Sequence, residues 1–447
     1  MDSIMLFYTL TDYYLYIISP SQKTVFLFNR ITSQSFVLKF SIFEQLKSDL
    51  KFNRLNTCTK KLVSFIKNTT KESIDNFCKE KIKNKNKKIK NLIHGVVFFV
   101  TYKCNMSCPN CILYRNLKTK SLPTLKEFPI SLAYQIIDQL VEDHKSTNVP
   151  ILISFSGAEP TLCSEFIINV IKYCEEKYVE YDFEYSINSN LLVLDKITID
   201  LFKNYNLAIG TSLDGLGIAN NINRIAKNNS DIFTCVDKNI KTINYSNFKS
   251  KVNQVVIMIS NKNYKFIDES LIEYIINEYN IKKIYITTDA TCIINDSIDN
   301  IIMKIYSMVE KGQKLGIKIH AEPFNAYDNL ISYNTDTACG AFSGAGFTLL
   351  PDKTISFCSY TPERIRFSSI NELKSNKNFI EIIRSKSVGQ LTRCKGCSLE
   401  GSCIGGCHAA FNTMNNKLQK YRCSLYKEGT KFMIKKYLEQ QEALYEV

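Results

Sequence analysis

Two sets of cysteines carry the strongest chemistry in this sequence. Cys104-x3-Cys108-x2-Cys111 is the first. Cys394-x2-Cys397-x5-Cys403-x3-Cys407 is the second, followed by Cys423 and preceded by Cys339 and Cys358. Three thiolates on one short loop suit an iron–sulfur cubane with one iron left free. The alternatives are zinc or a redox pair. Zinc prefers four ligands, and no fourth Cys or His lies close, since His94 and His144 are distant along the chain. The second set is far more specific than a lone Cys-x2-Cys and reads as a metal-binding framework. The six remaining cysteines (Cys58, Cys78, Cys163, Cys174, Cys235 and Cys292) are scattered and read as ordinary buried thiols.

The rest of the composition sets the compartment. The N-terminus opens Met1-Asp2-Ser3 with no basic region, and Thr9, Thr11 and Asp12 interrupt the apolar stretch behind it. That argues against a signal peptide. No run approaches the ~18 apolar residues that span a bilayer. A cytoplasmic protein is expected, where sixteen cysteines point to metal rather than disulfides. The net charge of +14 raises a nucleic-acid partner, but the lysines are spread along the chain and read as solvated surface. No nucleic acid and no membrane partner is expected. Four scattered histidines offer no catalytic pairing, and His408 beside Cys407 reads as structural.

These residues need elements to hold them. At 447 residues two or three domains are expected, and 45% hydrophobic content with 27 Phe and 25 Tyr supplies a sizeable core. Tyr13 to Ile18 and Thr24 to Phe28 read as a hairpin about Ser19–Gln22, with helices near 41–50 and 58–70. Lys79 to Lys90, with seven lysines and two asparagines, reads as a linker or an exposed helix end. From about 93 six strand–helix alternations begin. The strands are near 95–100, 151–155, 181–187, 207–212, 252–259 and 283–286, and such a pattern implies a parallel α/β sheet or barrel. Function in such folds gathers at the C-terminal ends of the strands, and the cysteine triad follows the first of them. After about 330 the alternation stops, and helical patterning returns only near 371–385 and 427–444. The expected division is an N-terminal α+β unit (1–90), a partial (β/α)6 barrel (91–325) and a cysteine-rich region with a C-terminal helix (326–447).

The triad after a first strand, with three later motifs in order, resembles the radical SAM superfamily. The resemblance implies a [4Fe–4S] cluster on Cys104, Cys108 and Cys111 whose fourth iron binds S-adenosylmethionine (SAM). Ser156-Gly157-Ala158-Glu159-Pro160 resembles the family's GGEP motif at the SAM amino group. Ser189-Asn190 stands where the family carries Thr-Asn-Gly near the ribose. Ser212-Leu213-Asp214-Gly215 resembles its SLDG segment, with Ser212 and Arg224 implied on the SAM carboxylate, where a cationic clamp belongs. Taken alone, Ser189 and Ser212 are ordinary strand-end turn residues. The sequence departs from the pattern at Ala158 and Leu191, where glycines are usual, and at Asn110, where an aromatic is common.

The second set resembles the SPASM extension with two auxiliary [4Fe–4S] clusters. The resemblance implies one on Cys394, Cys397, Cys403 and Cys423, and the other on Cys339, Cys358 and Cys407. Some members supply an eighth cysteine where this chain has Ala345, so the latter cluster is left with an open corner for a substrate thiolate, a serine, a glutamate or water. Asp352-Lys353 replaces the usual Asp-Gly before Cys358. The implied activity is that of an oxidoreductase acting as a peptide maturase on a ribosomally made peptide (a RiPP). It would cleave SAM, abstract a hydrogen from a cysteine-containing precursor and install a cross-link, a thioether above others. The implied electron donor is a flavodoxin or ferredoxin. The 1–75 pattern resembles leader-peptide recognition domains. Two alternatives stand: formylglycine formation of the sulfatase-maturase type, and a non-catalytic iron–sulfur or nucleic-acid-binding protein.

Overall fold

The computed structural model describes residues 6–445 except 55, 92, 114–127, 146, 229, 336–338, 362 and 412–413. The opening Met1-Asp2-Ser3 lies outside them. The N-terminal unit is an antiparallel sheet of β1 (Tyr8–Thr9), β2 (Tyr14–Ile18), β3 (Thr24–Asn29) and β4 (Ser35–Lys39), in that order. The expected hairpin is β2–β3, in register from Ile18↔Val25 to Tyr14↔Asn29. β3 is buried along its whole length, because both faces of the sheet are covered. On one face Val25 and Leu27 meet Phe43, Leu46, Val63 and Ile66 from helices Phe40–Phe52 and Lys60–Lys67. On the other, Phe26 and Phe28 share a core with Leu399, Ile434 and Leu438 from the far end of the chain. The lysine-rich stretch is not a linker but part of a helix, Lys71–Asn91. Ile74, Cys78, Lys85 and Ile89 recur at helical spacing and form its buried stripe, where the apolar stem of Lys85 fills a place between Cys78 and Ile89.

The six predicted alternations are present. β5 (Gly95–Phe99), β6 (Ile151–Ser156), β7 (Phe183–Asn188), β8 (Leu207–Ser212), β9 (Lys251–Ile259) and β10 (Lys283–Thr288) run parallel in sequence order, a helix or helices covering each crossover. The two-residue period sorts their faces. In β6, Ile151, Ile153 and Phe155 are buried toward the helices, while Ser154 bonds Ser186 of β7 across the concave face at 2.7 Å. Asp195, Asp231 and Ser297 cap three of the crossover helices through their side chains.

The sheet does not stop where the alternation does. β11 (His320–Ala321) extends it beyond β10, and β12 (Gly346–Leu349) pairs parallel with β5 on the opposite side. β13 (Thr354–Ser356) and β14 (Ile365–Arg366) follow antiparallel. The result is one ten-stranded sheet crossing the expected 325/326 boundary. β5 would otherwise be an edge with unpaired backbone groups, and β12 satisfies them. The helix expected from 427 begins earlier, at Asn416, and runs to Tyr445, so Cys423 lies inside it. No helix among the described residues is long and apolar enough to cross a membrane.

Candidate functional site

The triad sits on the loop that leaves β5. Val100 N–H donates to Ser156 O at 2.8 Å, Ala158 N–H to Thr101 O at 2.9 Å and Glu159 N–H to Lys103 O at 3.0 Å. From the other side Ser107 N–H donates to Ile225 O and Lys227 N–H to Asn105 O, and Met106 bridges Ala226. The loop is therefore held between the β6 end and the chain just past Arg224. Burial pushes the Cys104 thiol up to about 11, and the negative charge of Glu159, Cys108 and Cys111 adds to this. Burial also raises Cys108, against the pull of Arg224. Thiols so placed ionise readily only with a cation bound among them.

The strand-end motifs divide into groups that face the triad and groups that brace it. Gly157 adopts φ +151°, and a Cβ there would fall 2.7 Å from Thr101 O, so the β6 loop presses directly on the triad loop. Glu159 was expected among the SAM contacts, yet only 1% of it is exposed and its carboxylate is spent on the protein. Oε1 accepts from Thr161 N–H, Thr161 Oγ1 and Ser189 Oγ, and Oε2 from Asn190 N–H at 2.8 Å. Ser189 is committed to that brace, while Asn190 Nδ2 reaches Asn105 Oδ1 at 2.8 Å and lies 3.8 Å from Cys104 Sγ. Asp214, also expected on SAM, is fully buried and lies across Arg224 instead. Their Nε–Oδ2 contact of 3.0 Å is an ion pair rather than an aligned hydrogen bond, and Nη2 donates to Oδ1 at 3.3 Å. Arg224 thus keeps its charge beside Cys108 and Cys111. Ser212 is half-buried at the end of β8.

At two of the sequence departures the backbone is left-handed. Leu191 adopts φ +52° and Lys353 φ +65°, the left-handed region natural to the glycines they replace. Asn239 Nδ2 holds the Leu191 carbonyl at 2.8 Å, and Lys353 N–H closes its turn on Leu350 O at 3.0 Å. Asn110 bonds Asn223 Oδ1, and Asn223 also takes Ser260 Oγ and gives to Met258 O. With Asn220 and Asn263 it forms an amide bed beneath Asp214. Nothing in the sequence marked Asn220, Asn223 or Asn263, because Asn is used heavily throughout.

The remaining seven cysteines separate into two neighbourhoods by mutual electrostatic influence. Cys358 feels Cys339 and Cys407, and burial first of all pushes it up to about 12. Cys403 feels Cys394, Cys397 and Cys423. The Cys358 turn is tied to the β6 motif by Ser359 Oγ and Ser156 Oγ at 3.3 Å. Tyr360, 37% exposed, stands within the field of Cys111, Arg224, Cys358 and Cys407, between the triad and this neighbourhood. Under Cys407 the buried Arg422 pairs with Glu322 and Tyr426 and donates to Thr288 O at 3.1 Å, joining the last helix to the end of β10. The other neighbourhood is clasped by the N-terminal unit. Arg30 pairs with Glu400 at 3.3 Å and reaches Cys397 O at 3.4 Å, while Gly401 N–H donates to Arg30 O at 2.7 Å.

All ten thiols are free of disulfides and fall into groups of three, three and four. Among the described residues no three of His, Cys, Asp or Glu close on a single ion. A tetrahedral zinc with Zn–S of about 2.3 Å needs its sulfurs within roughly 3.8 Å of one another. A cubane binds each sulfur to a different iron, and thiols in sets of three, three and four are the donor chemistry it takes.

Comparison with known proteins agrees with this geometry. Residues 98–271 match the model of the radical SAM superfamily. An uncharacterised protein of Methanocaldococcus jannaschii is 28% identical over 181 residues, 40% of this chain and 58% of that one, so the match spans little more than half of that relative's length. A cysteine-type anaerobic sulfatase-maturating enzyme of Clostridium novyi is 22% identical over 336 residues, 68% of this chain and 84% of the relative. Among solved structures, anSMEcpe with bound AdoMet aligns at TM-score 0.60 and 15% identity, over 78% of this chain and 99% of its own. Streptococcus suis SuiB bound to the precursor peptide SuiA aligns at TM-score 0.52 and 14% identity, over 92% and 97%. At such identities the structures speak for the fold. The family match begins in β5 and takes in the triad and the strand-end motifs, so residues 98–271 carry a radical SAM domain.

Proposed function

We propose that this enzyme is a SPASM-type peptide maturase that cross-links a ribosomally made, cysteine-containing precursor, with a thioether as the bond formed. The observation that carries the reading is the sorting of ten thiols into a triad and two further sets. Cys104, Cys108 and Cys111 would hold the SAM-binding [4Fe–4S] cluster. Cys339, Cys358 and Cys407 would hold one auxiliary cluster, and Cys394, Cys397, Cys403 and Cys423 the other. When bound, the first cluster supplies the electron that splits SAM into methionine and a 5′-deoxyadenosyl radical. Arg224, oriented by Asp214, would offer its cation to the SAM carboxylate together with Ser212. The backbone of Ser156, Gly157 and Ala158 would receive the amino group, and Asn190 would lie toward the ribose. Phe99, Tyr102, Leu113 and Leu350 pack behind Cys111 and keep water from that side. A flavodoxin or ferredoxin is the proposed electron donor.

The N-terminal unit, residues 1–90 in the proposed division, supports a peptide substrate. β4 pairs only with β3 among the described strands, so its other edge can accept an added strand. Beside it lies a groove of about 600 Å³ with Phe36, Leu62, Phe65 and Phe77 as apolar lining and Lys61 and Lys81 as cations. Tyr333 forms part of the same groove, a few residues before Cys339, and its hydroxyl donates to Ser35 O. An extended acidic leader fits this groove and would direct the following core peptide toward the cysteine sets.

The test is anaerobic reconstitution with SAM, a reductant and the precursor encoded beside the gene. Loss of two hydrogens with sulfur retained is the expected product. Loss of sulfur with an aldehyde formed would select the formylglycine reading, to which the Clostridium novyi relative lends weight. Absence of 5′-deoxyadenosine would remove the catalytic reading. The Cys339→Ala variant should lose one cluster's iron and still cleave SAM; iron equal to wild type would overturn the ligand assignment.

A further inference from the structure

We propose that Glu363 is the fourth ligand of the cluster on Cys339, Cys358 and Cys407, closing the corner left by Ala345 with a carboxylate oxygen. The inference rests on the auxiliary-cluster reading and chooses among the occupants it leaves for the open corner: a substrate thiolate, a serine, a glutamate or water. It starts from an unpaid electrostatic debt in the protein. Glu363 Oε2 is shut off from solvent and has no hydrogen-bond donor among the described residues. A desolvated carboxylate oxygen without a donor is strongly unfavourable unless a cation lies against it.

The obvious protein cation does not meet this need. Arg364 Nη1 donates at 2.8 Å to the carbonyls of Thr361 and Glu363, so its guanidinium grips the backbone rather than the carboxylate. The turn that carries Glu363 is itself pinned on Cys358. Thr361 N–H and Thr361 Oγ1 both donate to Cys358 O at 3.1 Å, and Thr361 Oγ1 also bonds Ser356 Oγ at 2.7 Å. The chain turns at Thr361 directly after the cysteine, and the charge of the Glu363 carboxylate acts on the Cys358 sulfur. Three thiolates and a cubane leave one iron short of a ligand, and Glu363 holds one buried oxygen short of a partner. A hard oxygen on that iron is a weaker match than sulfur, so a substrate thiolate can displace it. The corner is gated by Glu363 rather than vacant.

The experiment uses the full chain with Cys104, Cys108 and Cys111 replaced by alanine, so that only auxiliary clusters contribute. Wild type at 363 is compared with Glu363→Gln, Glu363→Ala and Glu363→Cys after reconstitution with iron-57. Mössbauer spectra should show one iron site distinct from its all-sulfur neighbours when Glu363 is present, and should lose that distinction in Glu363→Cys. Mild oxidation should strip the corner iron from Glu363→Ala and give a three-iron EPR signal several-fold stronger than wild type, with Glu363→Cys returning below it. 2-Mercaptoethanol should perturb the Glu363→Ala spectrum at lower concentration than wild type. Identical spectra and identical three-iron yields in wild type and Glu363→Ala would overturn the assignment. If adding Cys339→Ala leaves the iron content unchanged, it is the auxiliary-cluster reading that fails, not the role of Glu363 within it.

Discussion

Glu159 separates a ligand-binding role from a bracing role. Burial pushes its carboxyl up, while donors from Asn190, Thr161 and Ser189 pull it back. In Glu159→Gln the amide oxygen can keep the three bonds at Oε1, but its NH2 then faces the Asn190 N–H that Oε2 accepted at 2.8 Å. A charged-group hydrogen bond of about 1.5–3 kcal/mol is lost and a buried N–H is stranded at about 1–3 kcal/mol. The three surviving bonds weaken, and relief from burying an anion offsets part of the sum. The net expectation is destabilisation of about 2 kcal/mol. Because the brace lies wholly within the protein, the loss should appear in urea unfolding of the metal-free chain without SAM. Glu159→Ala, which empties the site, should cost more, about 3–4 kcal/mol. A Glu159→Gln protein that unfolds like wild type yet binds SAM at least tenfold more weakly after reconstitution would refute the reasoning and return Glu159 to the SAM contacts.

The Arg422–Glu322 pair is buried, so Arg422→Met should cost about 3–5 kcal/mol by leaving an uncompensated carboxylate, read by chemical unfolding. Burial pushes Glu322 up, but Arg422 and the Tyr426 and Thr287 hydroxyls outweigh it and hold the group below 4.5. A depressed carboxylate contributes its stability above its unfolded pKa and loses it as pH falls through the folded one. Wild type should therefore lose thermal stability below about pH 4.5, and Glu322→Gln should show a shallower acid limb; equal slopes would exclude the pair as the cause. Gly401→Ala would place a Cβ 1.8 Å from Ile31 O, so the N-terminal clasp must shift. Limited proteolysis should then cut residues 1–70 faster than in wild type. Reversing the charge at Lys61 and Lys81 together should weaken binding of an acidic leader peptide about tenfold at low ionic strength, and the difference should shrink as salt rises; a salt-independent loss would point to damaged packing instead.

Much of the chemistry was legible because it is local. Cys-x3-Cys-x2-Cys lies within eight residues, and strand and helix periods declare themselves over about a dozen. The six alternations and the β2–β3 hairpin were therefore readable. The lysine-rich stretch stayed open between linker and helix end because only four buried positions mark the helix and one of them is a lysine. Residues far apart in sequence had to be brought together before the rest took form. β12 joins β5 some 250 residues away, which fuses two regions that the pattern had divided. Glu159 and Asp214 carry motif letters that the resemblance put on the ligand, yet the Asn190 amide and the Arg224 guanidinium claimed their carboxylates. Arg30 meets Glu400 across 370 residues, and nothing near either announces it. Sequence spacing governs what a short stretch of backbone can reach. Which buried charge finds which partner is settled only by the packing of the whole sheet, since an ion or a polar atom removed from water must be matched by whatever the fold brings beside it.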